Sequence, residues 1–145
     1  MKRGSLPWAF ALLISLVSGT VLAHHSLSGS YDMDREITLN GVVSAFQFVN
    51  PHPFVTITVE SQNGSRQQWR GELDNRSELV GIGMTSGTFK AGDRVAVVGN
   101  PGRDKTPAVY IRRLDRPSDG LKYEQIGTTP TIQLPNKPER RSFSS

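Results

Sequence analysis

A chain of 145 residues with 17 basic and 13 acidic side chains has room for one hydrophobic core and carries only a modest formal charge of +4. It has no cysteine, which excludes disulfides, thiolate zinc sites, iron–sulfur clusters and cysteine nucleophiles. Stability must therefore come from packing.

Lys2-Arg3 opens the chain, an uncharged run extends from Leu6 to Leu22, and Val21-Leu22-Ala23 offers small or compact residues at the positions a signal peptidase reads. This layout predicts a cleavable secretory signal over residues 1–23, a mature chain starting at His24, and a periplasmic or secreted location. A spanning helix needs roughly 20 strongly apolar residues, and Ser15, Ser18, Gly19 and Thr20 interrupt this run. The mature chain is accordingly expected not to span a membrane. Loss of Lys2 and Arg3 would lower its charge to about +2, so its charge balance gives no reason to expect nucleic acid as a partner.

Residues 24–35 form a mature amino-terminal segment, with Asp32, Asp34 and Glu36 around the start of the first strand. From Glu36 to Phe48 the chain is rich in β-branched and aromatic residues, and it reads as one long strand bent at a bulge at Gly41. Ile37 and Leu39 share one face, whereas Val42, Phe46 and Phe48 share a parity shifted by one. Phe54 to Glu60 alternates cleanly, with Val55, Ile57 and Val59 on the apolar face. Asn63-Gly64 is a hairpin signal leading into Gln67 to Leu73, where Trp69 and Leu73 oppose Gln68, Arg70 and Glu72.

Asn75, with Glu78 three residues later, can cap a short helix that Leu79 and Val80 anchor and that Gly81 and Gly83 end. A turn at Ala91-Gly92-Asp93 leads to a fourth strand, Arg94 to Gly99. A Pro/Gly loop from Asn100 to Pro107 leads to a fifth, Ala108 to Leu114. The order of three strands, a short helix and two strands predicts a mainly β fold: a small five-stranded Greek-key barrel of the oligonucleotide/oligosaccharide-binding (OB-like) type over residues 36–124. A plain antiparallel sheet with a covering helix is the competing architecture. Residues 125–145, rich in Thr, Pro, Ser and basic residues, are expected to be a disordered tail.

All three histidines lie at two places, His24-His25 and His52 within Asn50-Pro51-His52-Pro53. Cleavage after Ala23 would place a free α-amine beside the His24 imidazole, a pair able to chelate copper or zinc. Pro51 and Pro53 hold His52 in a stiff turn between the first two strands, on a loop that frames the binding face of this barrel type. His24, His25 and His52 are thus the candidate metal ligands, with copper or zinc as the candidate ion and no other cofactor indicated. Against this stands a plainer reading, in which His24-His25 are solvated terminal residues and His52 packs or hydrogen-bonds within a tight turn.

No nucleophile-elbow or zinc-protease motif occurs, and Glu60, Glu72 and Asp74 fall where a solvent face is expected, so no catalytic residues are assigned and the chain is not expected to be an enzyme. Trp69 lies on the apolar parity and Arg112 and Arg113 point to opposite faces of a strand, which leaves Trp69, Arg70, Tyr110, Arg112 and Arg113 without a common nucleic-acid surface. Asn63-Gly64-Ser65 and Asn75-Arg76-Ser77 match the glycosylation sequon, but they also suit a hairpin turn and a helix cap.

The combination of His24-His25-Ser26, Tyr31-Asp32, Thr38-Leu39-Asn40-Gly41, Asn50-Pro51-His52 and Ala91-Gly92-Asp93 resembles a family of small exported, mainly proteobacterial proteins of uncharacterised function. The resemblance covers about Ala23 to Leu114. It implies a periplasmic or secreted β-domain with no established activity. The chain departs from that pattern at Pro53-Phe54, where such proteins often have an aromatic residue directly after the Asn-Pro-His turn. Three functional expectations follow: a non-enzymatic periplasmic binding module for a metal or small ligand, a structural or protein-interaction domain for a periplasmic protein, and a copper-dependent redox enzyme with an amino-terminal histidine.

Overall fold

Alternation of apolar and polar residues over seven positions buries one face of a strand, and Val55 and Ile57 are indeed fully enclosed. In the computed structural model, which describes residues 27–135, that strand is β2 (Phe54–Glu60). It is flanked by β1 (Ile37–Gln47) and β3 (Arg66–Glu72). A helix α1 (Arg76–Gly81) then precedes β4 (Arg94–Pro101), β5 (Ala108–Arg116), β6 (Leu121–Ile126) and β7 (Thr129–Gln133). The sheet order is β3-β2-β1-β4-β5-β6-β7, and a parallel pairing of β3 with β5 closes the first five strands into a barrel. This is the five-stranded barrel, with its short helix between strands three and four, that the order of the segments predicts.

The change of phase in β1 occurs at Ser44 and not at Gly41, because the register against β2 shifts between Val43 and Ala45. Val43, rather than Val42, is the core residue, 1% exposed. The backbone bonds of Val43 go instead to the turn before β4, where its N–H donates to Asp93 O at 2.8 Å and its carbonyl accepts from Gly92 N at 2.9 Å. Gly41 has a different task. A Cβ there would lie 2.5 Å from Thr58 O and 2.7 Å from the Ile57 side chain, so the missing side chain lets β2 approach closely as the sheet curls.

The local signals for turn and cap hold. Asn63 Oδ1 accepts from Ser65 N at 3.0 Å within the β2–β3 turn, and Asn75 Oδ1 accepts from Ser77 N at 2.9 Å at the start of α1. Leu79 is fully buried while Val80 is half exposed, so one residue of the helix anchors it to the barrel core. Met84 and Phe89, in the segment between α1 and β4, add to that core, and Phe89 meets Phe46 edge to face at 5.2 Å. Arg116 ties the segment down through Thr88 O at 2.7 Å and Asp93 Oδ2 at 2.6 Å.

The expected disorder from residue 125 is corrected by the structure through Gln133: β6 runs to Ile126, and β7 pairs with it from Thr129 to Gln133. Leu121, Tyr123 and Gln125 form the inward face of β6, all buried. The polar Gln125 is kept inside by its hydrogen bonds, accepting from Tyr123 OH and donating to Asp74. Residues 136–145 lie outside the described residues.

At the other end of the described chain, residues 27–30 make one helical turn, and the backbone that follows crosses the barrel. Asp32 N donates to Pro101 O at 2.9 Å, Arg103 N to Ser30 O at 3.0 Å, and the buried Asn100 amide to Met33 O and Arg35 O. This strap covers the ends of β3 and β5, where they pair in parallel.

Candidate functional site

His52 sits in the β1–β2 loop, whose course is fixed from both sides. Leu73 N donates to Pro53 O at 3.0 Å and Arg76 N to Pro51 O at 2.9 Å, while the Arg76 guanidinium donates to Phe48 O and lies 4.9 Å from the Phe48 ring centre. The Asn50–Pro51 bond is cis. Phe54, at the position where the family pattern departs, carries the Arg70 guanidinium over its ring at 3.5 Å. The first turn of α1 and the end of β3 together therefore set the direction of the histidine.

The imidazole Nδ1 lies 3.1 Å from Leu73 O and 3.4 Å from Glu72 Oε1. Both neighbours are acceptors, so Nδ1 carries the proton in the neutral ring and Nε2 keeps its lone pair. Nε2 has no hydrogen-bond partner among the described residues, yet no buried side-chain nitrogen or oxygen there lacks one. It follows that Nε2 reaches solvent. The arrangement is the one in which metal-ligating histidines are usually held, with an acceptor behind the ring and the other nitrogen free.

Glu72 is the hinge of the site. Its second oxygen accepts from Tyr31 OH at 2.6 Å, which joins the amino-terminal strap to the His52 loop through one carboxylate. Burial, and next the bond to Glu72, push the Tyr31 phenol well above its ordinary ionisation range, so it remains a donor. The Tyr31 ring also lies 5.8 Å from the buried Tyr110 ring. Sequence reasoning places Glu72 on the solvent face, and in the parity of β3 it does point outward. The strap then covers it, leaving the side chain only 18% exposed. Its role could not be found from the alternation of β3. The one available signal is Tyr31 itself, an aromatic residue in the mainly polar stretch Ser28-Gly29-Ser30-Tyr31-Asp32-Met33-Asp34.

Of the three candidate metal ligands, only His52 is described; His24 and His25 lie outside the described residues, as does the expected signal. Among the described residues no three His, Cys, Asp or Glu side chains gather in a way that could hold a metal ion, so Asp32, Asp34 and Glu36 do not build such a group with His52. Trp69 packs partly buried against the core. Arg113 faces solvent beside Asp115, but the expectation that Arg112 takes the opposite face of β5 is corrected. The pairing with β4 passes from Ile111 to Arg113 and skips Arg112, so both arginines lie outward between the buried Ile111 and Leu114 and line one groove with Glu36 and Glu124. Glu60 is paired with Arg66 at the surface, 3.2 Å apart, as its position in β2 predicts.

The fold and these contacts define a small β-barrel protein with a strap before its first strand and a surface histidine oriented from behind. No helix among the described residues is long and apolar enough to cross a membrane. The chain belongs to a family of unknown function, DUF6152, which it matches over residues 12–109. No curated protein and no solved structure matches it.

Proposed function

We propose that this chain is an exported, non-enzymatic binding module that takes a copper or zinc ion through His52 Nε2, with His24 and His25 at a processed amino terminus completing the ligand set. The observation that carries the reading is the orientation of His52, whose Nδ1 faces Leu73 O and Glu72 Oε1 while Nε2 stays open to solvent. Chain length supports it as well. Five residues lie between His25 and Tyr31, and because 27–30 form a helical turn the reach is at most about 13 Å, while Tyr31 shares Glu72 with His52. A neutral imidazole suits both ions, and the α-amine left by cleavage after Ala23 adds a second nitrogen beside the His24 ring.

The test is a titration of copper(II) and zinc(II) into the chain beginning at His24. One ion per chain is expected, with His52→Ala weakening binding at least about tenfold and retention of Ala23 at the terminus weakening copper binding by a similar factor. Unchanged affinity in His52→Ala would remove that residue from the site, and no saturable binding of either ion would overturn the metal reading. Intact mass of material recovered from the native envelope checks export separately, with a chain starting at His24 as the expected result.

A further inference from the structure

A recess of about 230 Å³ opens where the strap, α1, β5 and the β6–β7 turn meet. Leu27, Asp74, Glu78, Tyr110, Arg112 and Gln125 line it. Tyr110 is 3% exposed, and its hydroxyl makes no hydrogen bond within the described residues. No buried polar side-chain atom is left without a partner there, so the surface that Tyr110 keeps includes its hydroxyl, which opens on the recess. With no protein partner, the hydroxyl of this otherwise buried phenol is left to bond water or a guest in the recess.

Two of the charges around that hydroxyl have no partner among the described residues. Among the described residues the Arg112 guanidinium makes no ion pair or hydrogen bond, and the exposed Glu78 carboxylate makes none either, although both line the same recess. Asp74 adds a second carboxylate, already held by Gln125 Nε2 and Asn75 N. Opposite charges in one recess that do not reach each other are complementary to a molecule carrying both. A simple anion would meet two carboxylates, and a simple cation would meet the guanidinium. A recess of about 230 Å³ that opens to solvent has room for a guest of amino-acid size.

We propose that this recess binds a small zwitterion, its carboxylate on Arg112, its ammonium on Glu78 and Asp74, and the Tyr110 hydroxyl on whichever group lies nearest. The site is separate from His52 and does not depend on metal.

The experiment uses the chain from His24 to Ser145 with glycine, β-alanine and 4-aminobutyrate as probes of increasing charge separation, and acetate and methylammonium as single-charge controls. Amide shifts of Gly127 and Thr128, which border the recess, report occupancy. At least one zwitterion is expected to saturate these shifts at a concentration about tenfold below either control. Glu78→Gln and Arg112→Gln should each weaken it about tenfold, and Tyr110→Phe, which removes a hydroxyl the fold does not use, about fivefold. The proposal is overturned if no zwitterion saturates the shifts, if a control binds as well as the best zwitterion, or if binding survives both charge substitutions.

Discussion

Tyr31 and Glu72 stand 41 positions apart in the chain and 2.6 Å apart in the fold, phenol donating to carboxylate. Through this bond the segment before the first strand becomes part of the barrel, and the carboxylate that receives it is the one that backs His52. Tyr31→Phe keeps the ring against Tyr110 and removes only the hydroxyl. A hydrogen bond to a charged group contributes about 1.5–3 kcal/mol, and the remaining exposure of Glu72 puts the expected loss near the lower limit, read as a fall in unfolding free energy in urea. Proteolysis near residues 27–31 should accelerate in the same variant.

The alkaline side of the stability profile should be governed by three tyrosines. Burial is the leading cause that raises Tyr31, Tyr110 and Tyr123 above the ordinary phenol value of 10.0. A folded-state value above the unfolded one means that the unfolded chain loses its protons first. The contribution is therefore fully present below about pH 10 and is lost as pH rises beyond it, at about 1.4 kcal/mol per pH unit for each tyrosine that titrates only on unfolding. Urea titrations between pH 9 and 11 should show this decline, and Tyr123→Phe, at the most enclosed of the three positions, should flatten it. A decline of equal steepness in that variant would count against the assignment.

Closure of the barrel depends on glycine at its tightest crossing. A Cβ on Gly99 would stand 2.1 Å from Tyr110 O and 2.8 Å from a Val109 methyl, at the register shift between β4 and β5. Gly99→Ala is expected to destabilise the fold by about 3 kcal/mol, the upper part of the range for overpacking. Gly81→Ala, where nothing lies within 4 Å, is the control and should change stability far less.

Asn75→Ala should cost about 1 kcal/mol through loss of the helix cap. Its more informative effect is local. Arg76, the first residue of α1, donates to Pro51 O and Phe48 O, so fraying of that turn should speed amide exchange at Phe54 and Leu73 more than at Val97 in the barrel wall. Uniform acceleration at all three would show that the cap acts only on global stability.

How far the sequence discloses this molecule depends on the range of the interaction involved. Alternation in Phe54–Glu60, the Asn63-Gly64 turn and the Asn75 cap are decided by neighbours a few positions away, and they appear where the pattern places them. The phase change in β1 was legible as an event but not as a position, because the bulge at Ser44 lies in the pairing with β2, while Val43 bonds on its other side to the distant turn at Gly92-Asp93, and neither partner is a sequence neighbour. Strand β6 was hidden by Gln125, a polar residue at an inward position that only Asp74 and Tyr123 make acceptable. His52 stood out as one of three histidines in the chain. Glu72 did not, since its partial burial depends on a strap that no periodicity in β3 reveals.

The account rests most heavily on the state of the His52 ring, and a long-range nitrogen–proton correlation spectrum of the imidazole near pH 8 reads it directly. The proton should sit on Nδ1, with Nε2 unprotonated and shifting on addition of zinc(II). A ring protonated at Nε2, or one whose Nε2 signal is unmoved by the ion, would contradict it.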